Sequence, residues 1–146
     1  MTRTESGVQR ILGLCRARRR AIFVVYAALT ATATHWPKLE LPLPSMRPDI
    51  LIHMFVFGLW TLACVFAAFF GPALSRRNIL LAGLVSLAYS AVDELTQGIP
   101  GINRVVGLDD ALANAAGIFV AVIACVFVAR RQAASAERAA QPMTRE

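Results

Sequence analysis

Four long apolar runs dominate the chain, and short polar segments separate them. Each run is close to the roughly 17–25 residues that a helix needs to cross a bilayer. The pattern predicts an all-α, polytopic membrane protein, folded as a four-transmembrane-helix bundle. The predicted spans are 20–36, 49–70, 78–97 and 108–129.

Helix-breaking residues lie between the runs. Four prolines within 37–48 exclude a helix there and predict an extended surface loop. The second run stops at Gly71-Pro72, and the third is broken by Gly98, Pro100 and Gly101. The short Ser75-Arg76-Arg77 connection predicts that the second and third spans are antiparallel neighbours.

The first run has a competing interpretation as a signal peptide. A basic region precedes it, and Ala31-Thr32-Ala33 resembles a cleavage site. The apolar stretch is long for a signal peptide, so we expect the first span to be retained.

Composition and charge agree with a membrane location. The chain is 57% hydrophobic, above the roughly 45–50% of ordinary soluble domains. Its net charge of +6 comes from basic residues that flank the apolar runs without interleaved aromatic residues, which argues against nucleic acid as a partner.

The basic residues also predict the orientation. Twelve of the fifteen Lys and Arg residues lie within 1–20, within 130–146 or in the loop after the second span. The positive-inside rule places this side in the cytoplasm, so both termini are predicted there. We expect a multi-pass protein of the bacterial cytoplasmic (inner) membrane, with membrane lipids as its partners. The sequence leaves open whether the chain forms a homo-oligomer.

The three cysteines suggest neither a zinc site nor a disulfide framework. Cys15, Cys64 and Cys125 are scattered and form no CxxC pair. His53 and the nearby carboxylates could hold a divalent cation by residue type, but no HExxH-type spacing makes such a site specific, so neither a metal nor a cofactor is predicted.

Acidic residues concentrate on the predicted outer side. Six of the nine fall in or beside the two outer loops. At about 1.5 Å per residue from Asn78, Asp93 lies about 22 Å along a helix that crosses a core roughly 30 Å thick. A carboxylate about 7–8 Å beneath the outer surface is costly unless it faces the bundle interior, a partner or water.

Helical spacing places further polar groups at a similar depth. His53 lies one turn after Asp49, and Asn114 one turn after Asp110. Ser86, Ser90, Asp93 and Gln97 form a stripe on the third helix, whereas Asp110, Asn114, Gly117 and Ala121 form one on the fourth. Arg104, in the loop between the third and fourth spans, is the nearest obvious cation to these acidic groups. The candidate ligand-binding residues are Asp49, His53, Asp93, Glu94, Gln97, Arg104, Asp110 and Asn114.

These residues carry a family resemblance. The motifs are Asp49-x-x-x-His53-x-x-x-Phe57-Gly58, then Asp93-Glu94-x-x-Gln97, Arg104, and Asp110-x-x-x-Asn114-x-x-Gly117. Their order and spacing over residues 49–121 resemble the signature of the VanZ-like membrane proteins. The chain departs from that pattern at Ile50, where many members have Lys, and at Ala121, where a second Gly is common.

The resemblance implies a membrane protein of the cell envelope, with a link to resistance against the glycopeptide antibiotic teicoplanin. Three classes of function are open. The leading one is a non-enzymatic protein that binds a lipid or a lipid-linked cell-wall precursor near the periplasmic face. The second is an enzyme on a lipid-linked phosphate or ester, with His53 as base and Asp93 or Glu94 as acid. The third is a proton-coupled transporter or flippase.

A purely structural interpretation competes with all three. Asp93, Glu94, Gln97 and Arg104 can form a buried network that fixes helix register, and His53 can be a hydrogen-bonded core histidine. The functional interpretation is favoured because ionisable groups inside a membrane are functional candidates by default.

Overall fold

The computed structural model describes residues 3–36, 48–100 and 107–140, with side chains from residue 12 in the first range and residue 50 in the second. The described residues are helical apart from short turns. The helices are α1 (Arg3–Thr34), α2 (Pro48–Ala67), α3 (Arg76–Gln97) and α4 (Leu108–Ala140). The all-α prediction is confirmed.

Local sequence explains where the helices begin. Pro48, assigned from sequence to the loop, is instead the first residue of α2, where its fixed φ and missing N–H suit a helix start. Ser75 caps α3, because its hydroxyl oxygen accepts a hydrogen bond from the Asn78 amide at 3.3 Å. Asp109 and Asp110 lie in the first turn of α4, where negative charge complements the helix dipole.

The α2 helix ends at Ala67, three residues before the predicted end of the second span. Ala68 has a φ of 54°, which is left-handed and stops the helix. Gly71 follows with a φ of 146°, a conformation that favours glycine. Together these two residues turn the chain sharply into α3.

Helices α1 and α4 extend well past the predicted spans. α1 includes residues 3–19 and α4 includes residues 130–140, both assigned from sequence to basic tails. The segments are rich in Arg, Ala, Gln and Glu, which have high helix propensity, so the helices continue where the apolar runs stop.

The distribution of polarity is inverted relative to a water-soluble protein. Polar side chains such as Asn78, Asp93 and Asn114 are buried, whereas Phe55, Leu95 and many other large apolar side chains are exposed. Lipid permits this arrangement, since apolar groups face the acyl chains and polar groups pair inside.

Among the described residues, three helices are long and apolar enough to cross a membrane: Ile50–Ala67 within α2, α3, and α4. The chain is therefore described as a multi-pass membrane protein. α1 does not reach the same standard, because its uncharged part, residues 21–34, ends in three threonines and follows a cluster of arginines. A fourth span stays a prediction.

The helices alternate in direction, and α2 contacts the other three. Near one end, Arg20 of α1 donates to the Ala68 carbonyl after α2, and Asn78 of α3 donates to the Val65 carbonyl. At the other end, α1 and α3 finish where α2 and α4 begin. The predicted antiparallel arrangement of α2 and α3 is confirmed.

The core joins the helices through aromatic and small side chains. Trp60 of α2 packs edge-on against Phe23 of α1 and stacks on Tyr89 of α3, with ring centroids 4.8 Å apart in both pairs. α2 and α4 approach closely at Gly117, where an added Cβ would overlap the Met54 carbonyl. This contact sets the depth at which polar groups of α2 and α4 meet.

Candidate functional site

Buried polar side chains gather at the end of the bundle where α1 and α3 finish. Of the predicted candidates, His53, Asp93, Glu94, Gln97 and Asn114 are all buried there, on α2, α3 and α4. α1 adds Thr34 and His35, which hydrogen-bond to α3 side chains. These seven residues are called the polar cluster below.

The carboxylate of Asp93 accepts hydrogen bonds from several side chains. Thr34 Oγ1 donates to its Oδ1 at 2.8 Å, and Gln97 Nε2 donates to its Oδ2 at 3.1 Å. The Tyr89 hydroxyl lies 3.4 Å from Oδ1, and His35 Nδ1 lies 3.7 Å from it. Both carboxylate oxygens are thus engaged, which stabilises a carboxylate that is 2% exposed.

Thr34 and His35 were not among the candidates predicted from sequence. His35 Nε2 is 2.9 Å from Thr96 Oγ1 of α3, and Nδ1 is 2.9 Å from the Ala31 carbonyl. His35 and Trp36 follow the first apolar run, and their residue types are typical of a membrane interface. Trp36 is exposed, whereas His35 closes the contact between α1 and α3.

Glu94 has a different environment from Asp93, although the two are adjacent in sequence. Its Oε1 accepts a hydrogen bond from the Gly107 amide at 2.7 Å. Its Oε2 is buried and has no hydrogen-bond partner among the described residues. Asp110, His53 and Asp93 all lie within electrostatic range of Glu94. Within the described part of the chain, one carboxylate oxygen thus remains an acceptor inside the bundle.

His53 and Asn114 join α2 to α4. His53 Nδ1 lies 3.1 Å from Asn114 Oδ1, and both residues are buried. Asn114 Nδ2, in contrast, has no hydrogen-bond partner within the described ranges. Asn114 contacts His53, and Glu94 lies within electrostatic range of the same ring, so among the described residues this region holds one acceptor and one donor without a partner.

Acidic groups also surround the start of α4. A Cβ added at Gly107 would lie 2.8 Å from Asp109 Oδ1 and 3.1 Å from Asp110 Oδ2. Asp110 is half-buried and Asp109 exposed. Among the described residues, no group of three His, Cys, Asp or Glu side chains has the geometry to hold a metal ion.

Two predicted candidates lie outside the described residues: the side chain of Asp49 and all of Arg104. The other residues of the predicted stripes on α3 and α4 lie within the described ranges. Ser86, Ser90, Asp93 and Gln97 are buried along α3, and Asn114, Gly117 and Ala121 are buried along α4.

Comparison with protein-family models, curated proteins and solved structures finds no match to this chain.

Chemically, the polar cluster suits a ligand that both donates and accepts hydrogen bonds. A hydroxyl or amide group of a ligand can donate its proton to Glu94 Oε2. The oxygen of the same ligand group can accept a hydrogen bond from Asn114 Nδ2. In a low-dielectric interior, leaving both groups unsatisfied costs about 1–3 kcal/mol each. The arrangement thus favours occupation by a polar group over an empty apolar contact.

Proposed function

We propose that this chain is a VanZ-like inner-membrane protein that binds the polar headgroup of a lipid or lipid-linked cell-wall precursor at the periplasmic end of a four-span bundle. The observation that carries the proposal is the pair of buried groups on Glu94 and Asn114 that find no hydrogen-bond partner among the described residues. Hydroxyl and amide groups are what such headgroups offer.

The contacts of α1 support a fourth span within this proposal. Arg20 bonds next to Ala68 at one end of α2, Tyr26 bonds to the Val56 carbonyl further along, and Thr34 bonds to Asp93 at the opposite end. Fourteen residues from Arg20 to Thr34 rise about 21 Å, close to the rise of α3 up to Asp93. α1 therefore follows the membrane-spanning helices over most of their length.

The orientation proposed is the one in which both termini are cytoplasmic. α1 and α4 extend past the bundle at the same end and carry Arg16, Arg19, Arg130 and Arg131 there. The polar cluster lies at the other end, which the positive-inside rule assigns to the periplasm.

The experiment is native mass spectrometry of the full chain purified in mild detergent. We expect a retained lipid, and we expect Glu94→Gln to lower its occupancy at least fivefold with an unchanged melting temperature. Glu137→Gln is the matched control, because it makes the same chemical change at an exposed position on the far end of α4.

Two results would contradict the proposal. One is equal lipid occupancy in Glu94→Gln, Asn114→Ala and the unsubstituted chain. The other is loss of membrane accumulation in both variants, which would identify the polar cluster as a device for fixing helix register.

The enzyme alternative has one observation in its favour. The His53 ring is held by Asn114 and lies within electrostatic range of Glu94, so an oriented base stands beside a carboxylate. A lipid-linked phosphate or ester offered to the purified chain should then be converted, and His53→Gln should abolish conversion while lipid binding persists.

A further inference from the structure

A cavity lies at the opposite end of the bundle from the polar cluster. It has a volume of about 430 Å³, and both α1 and the turn between α2 and α3 line it. Three of its lining residues are arginines: Arg16, Arg19 and Arg20. The turn contributes Ala68, Phe69, Gly71, Pro72 and Ala73.

The three arginines share one face of α1, because positions i, i+3 and i+4 are neighbours on a helix. The structure pairs none of them with a carboxylate among the described residues. Arg18, between them in sequence, points away from this face and does not line the cavity. The cavity is therefore positively charged without an internal counter-ion from the described part of the chain.

Arg20 is the best placed of the three to bind an anion. Its Nη2 donates to the Ala68 carbonyl at 3.3 Å, and its guanidinium lies 5.1 Å from the centre of the Phe69 ring. These contacts hold the side chain against the turn. Its Nε is buried, yet it has no hydrogen-bond partner among the described residues. A buried guanidinium N–H without an acceptor is costly, so an external acceptor is expected.

The position along α1 defines the kind of acceptor. Arg20 is the last charged residue before the uncharged part of the helix, residues 21–34. In a bilayer this transition from charged to apolar falls at the headgroup level. The arginine fork matches phosphate oxygens geometrically, and basic pockets between membrane helices are suited to phosphate-bearing headgroups.

We infer that the cavity formed by Arg16, Arg19, Arg20 and the α2–α3 turn is a phosphate-binding site, distinct from the polar cluster. Two sources supply such a group at this depth: the headgroup of an anionic lipid and free phosphate. An occupant would clamp α1 to the turn, adding an ionic contact between α1 and the rest of the bundle at this end.

The test measures binding to the detergent-purified full chain of three probes: dioctanoyl phosphatidylglycerol, dioctanoyl phosphatidylcholine and inorganic phosphate. Arg19→Gln should weaken phosphatidylglycerol binding at least fivefold and remove one bound lipid from the native mass spectrum. Arg18→Gln removes the same charge one residue away and should change the affinity less than twofold.

Arg20→Lys provides a second variant that keeps the charge but loses the Nε donor and the planar fork. It should also weaken phosphatidylglycerol binding, because a lysine does not reproduce a two-point contact. Competition by inorganic phosphate at similar affinity would identify a free anion as the occupant, and absence of competition would identify a lipid. The inference is overturned if Arg18→Gln and Arg19→Gln have equal effects, or if none of the three probes binds.

Discussion

The hydroxyl of Thr34, at the last residue of α1, donates a 2.8 Å hydrogen bond to Oδ1 of Asp93, near the end of α3. The bond joins the helix that least resembles a membrane span to the most deeply buried carboxylate of the polar cluster. It therefore ties the position of α1 to the electrostatics of the candidate site.

Replacing Thr34 by Val tests this bond. The change keeps the side-chain shape but removes a donor to a buried carboxylate, so we expect a loss of about 1–3 kcal/mol in the free energy of unfolding. Denaturant titration of the purified protein measures it. Thr32→Val is the control, since Thr32 is exposed and its hydroxyl donates to Ala28 of its own helix. Equal losses in the two variants would show that the bond to Asp93 contributes nothing.

Gly117→Ala should separate α2 from α4. The new Cβ would overlap the Met54 carbonyl, which is backbone and cannot rotate away, so we expect a loss of about 1–3 kcal/mol or more. Gly13→Ala, where nothing lies within 4 Å, should be neutral or slightly stabilising, because Ala is the better helix former. Thermal unfolding distinguishes them, and an unchanged melting temperature in Gly117→Ala would contradict the close approach of the helices.

Asn78, in the first turn of α3, should be the residue on which the α2–α3 turn depends most. Its Nδ2 donates to the carbonyls of Val65 and Ala73 at 2.9 and 2.8 Å, and its Oδ1 accepts from the Phe70 amide at 3.1 Å. Asn78→Ala loses all three bonds, at about 1 kcal/mol each, whereas Ser75→Ala removes one capping bond. Limited proteolysis within 68–75 should accelerate strongly in the first variant and weakly in the second. The reverse order would contradict this account.

Cys15 is a natural topology probe. It is exposed on α1, whereas Cys64 and Cys125 are buried. A membrane-impermeant maleimide should leave Cys15 unlabelled in intact cells and label it after permeabilisation, if the N-terminus is cytoplasmic. Cys15→Ser gives the background signal. Labelling in intact cells would reverse the proposed orientation, and a shortened chain lacking Cys15 would reveal cleavage of the first apolar run.

Simple counting along the helices predicted much of the polar cluster. The 1.5 Å rise per residue placed His53, Asp93 and Asn114 at similar depths, and these residues are buried at the same end of the bundle. The same count from Arg20 gives Thr34 a depth of about 21 Å. Thr34 and His35 were missed as members of the polar cluster because threonine and histidine at the end of an apolar run are typical of a membrane boundary.

Other features depend on contacts between helices that no local pattern encodes. Asp93 and Glu94 are adjacent, yet one binds residues of α1 and α3 and the other binds the Gly107 amide. Gly117 and Ala121 on α4 are small enough for close helix packing, but the sequence does not identify α2 as the partner of this face. Ala68 is similar, because its left-handed φ follows from the turn that surrounds it and not from the preference of alanine.

Because aromatic rings pack around Trp60, the intrinsic fluorescence of this residue should report on the contacts between the helices. The chain has two tryptophans, of which Trp36 is exposed and Trp60 is 3% exposed. A Trp36→Phe protein would hold a single indole, wedged between rings contributed by two other helices. Its emission spectrum would shift when either neighbour withdraws, so helix dissociation inside the bilayer becomes visible without an attached dye.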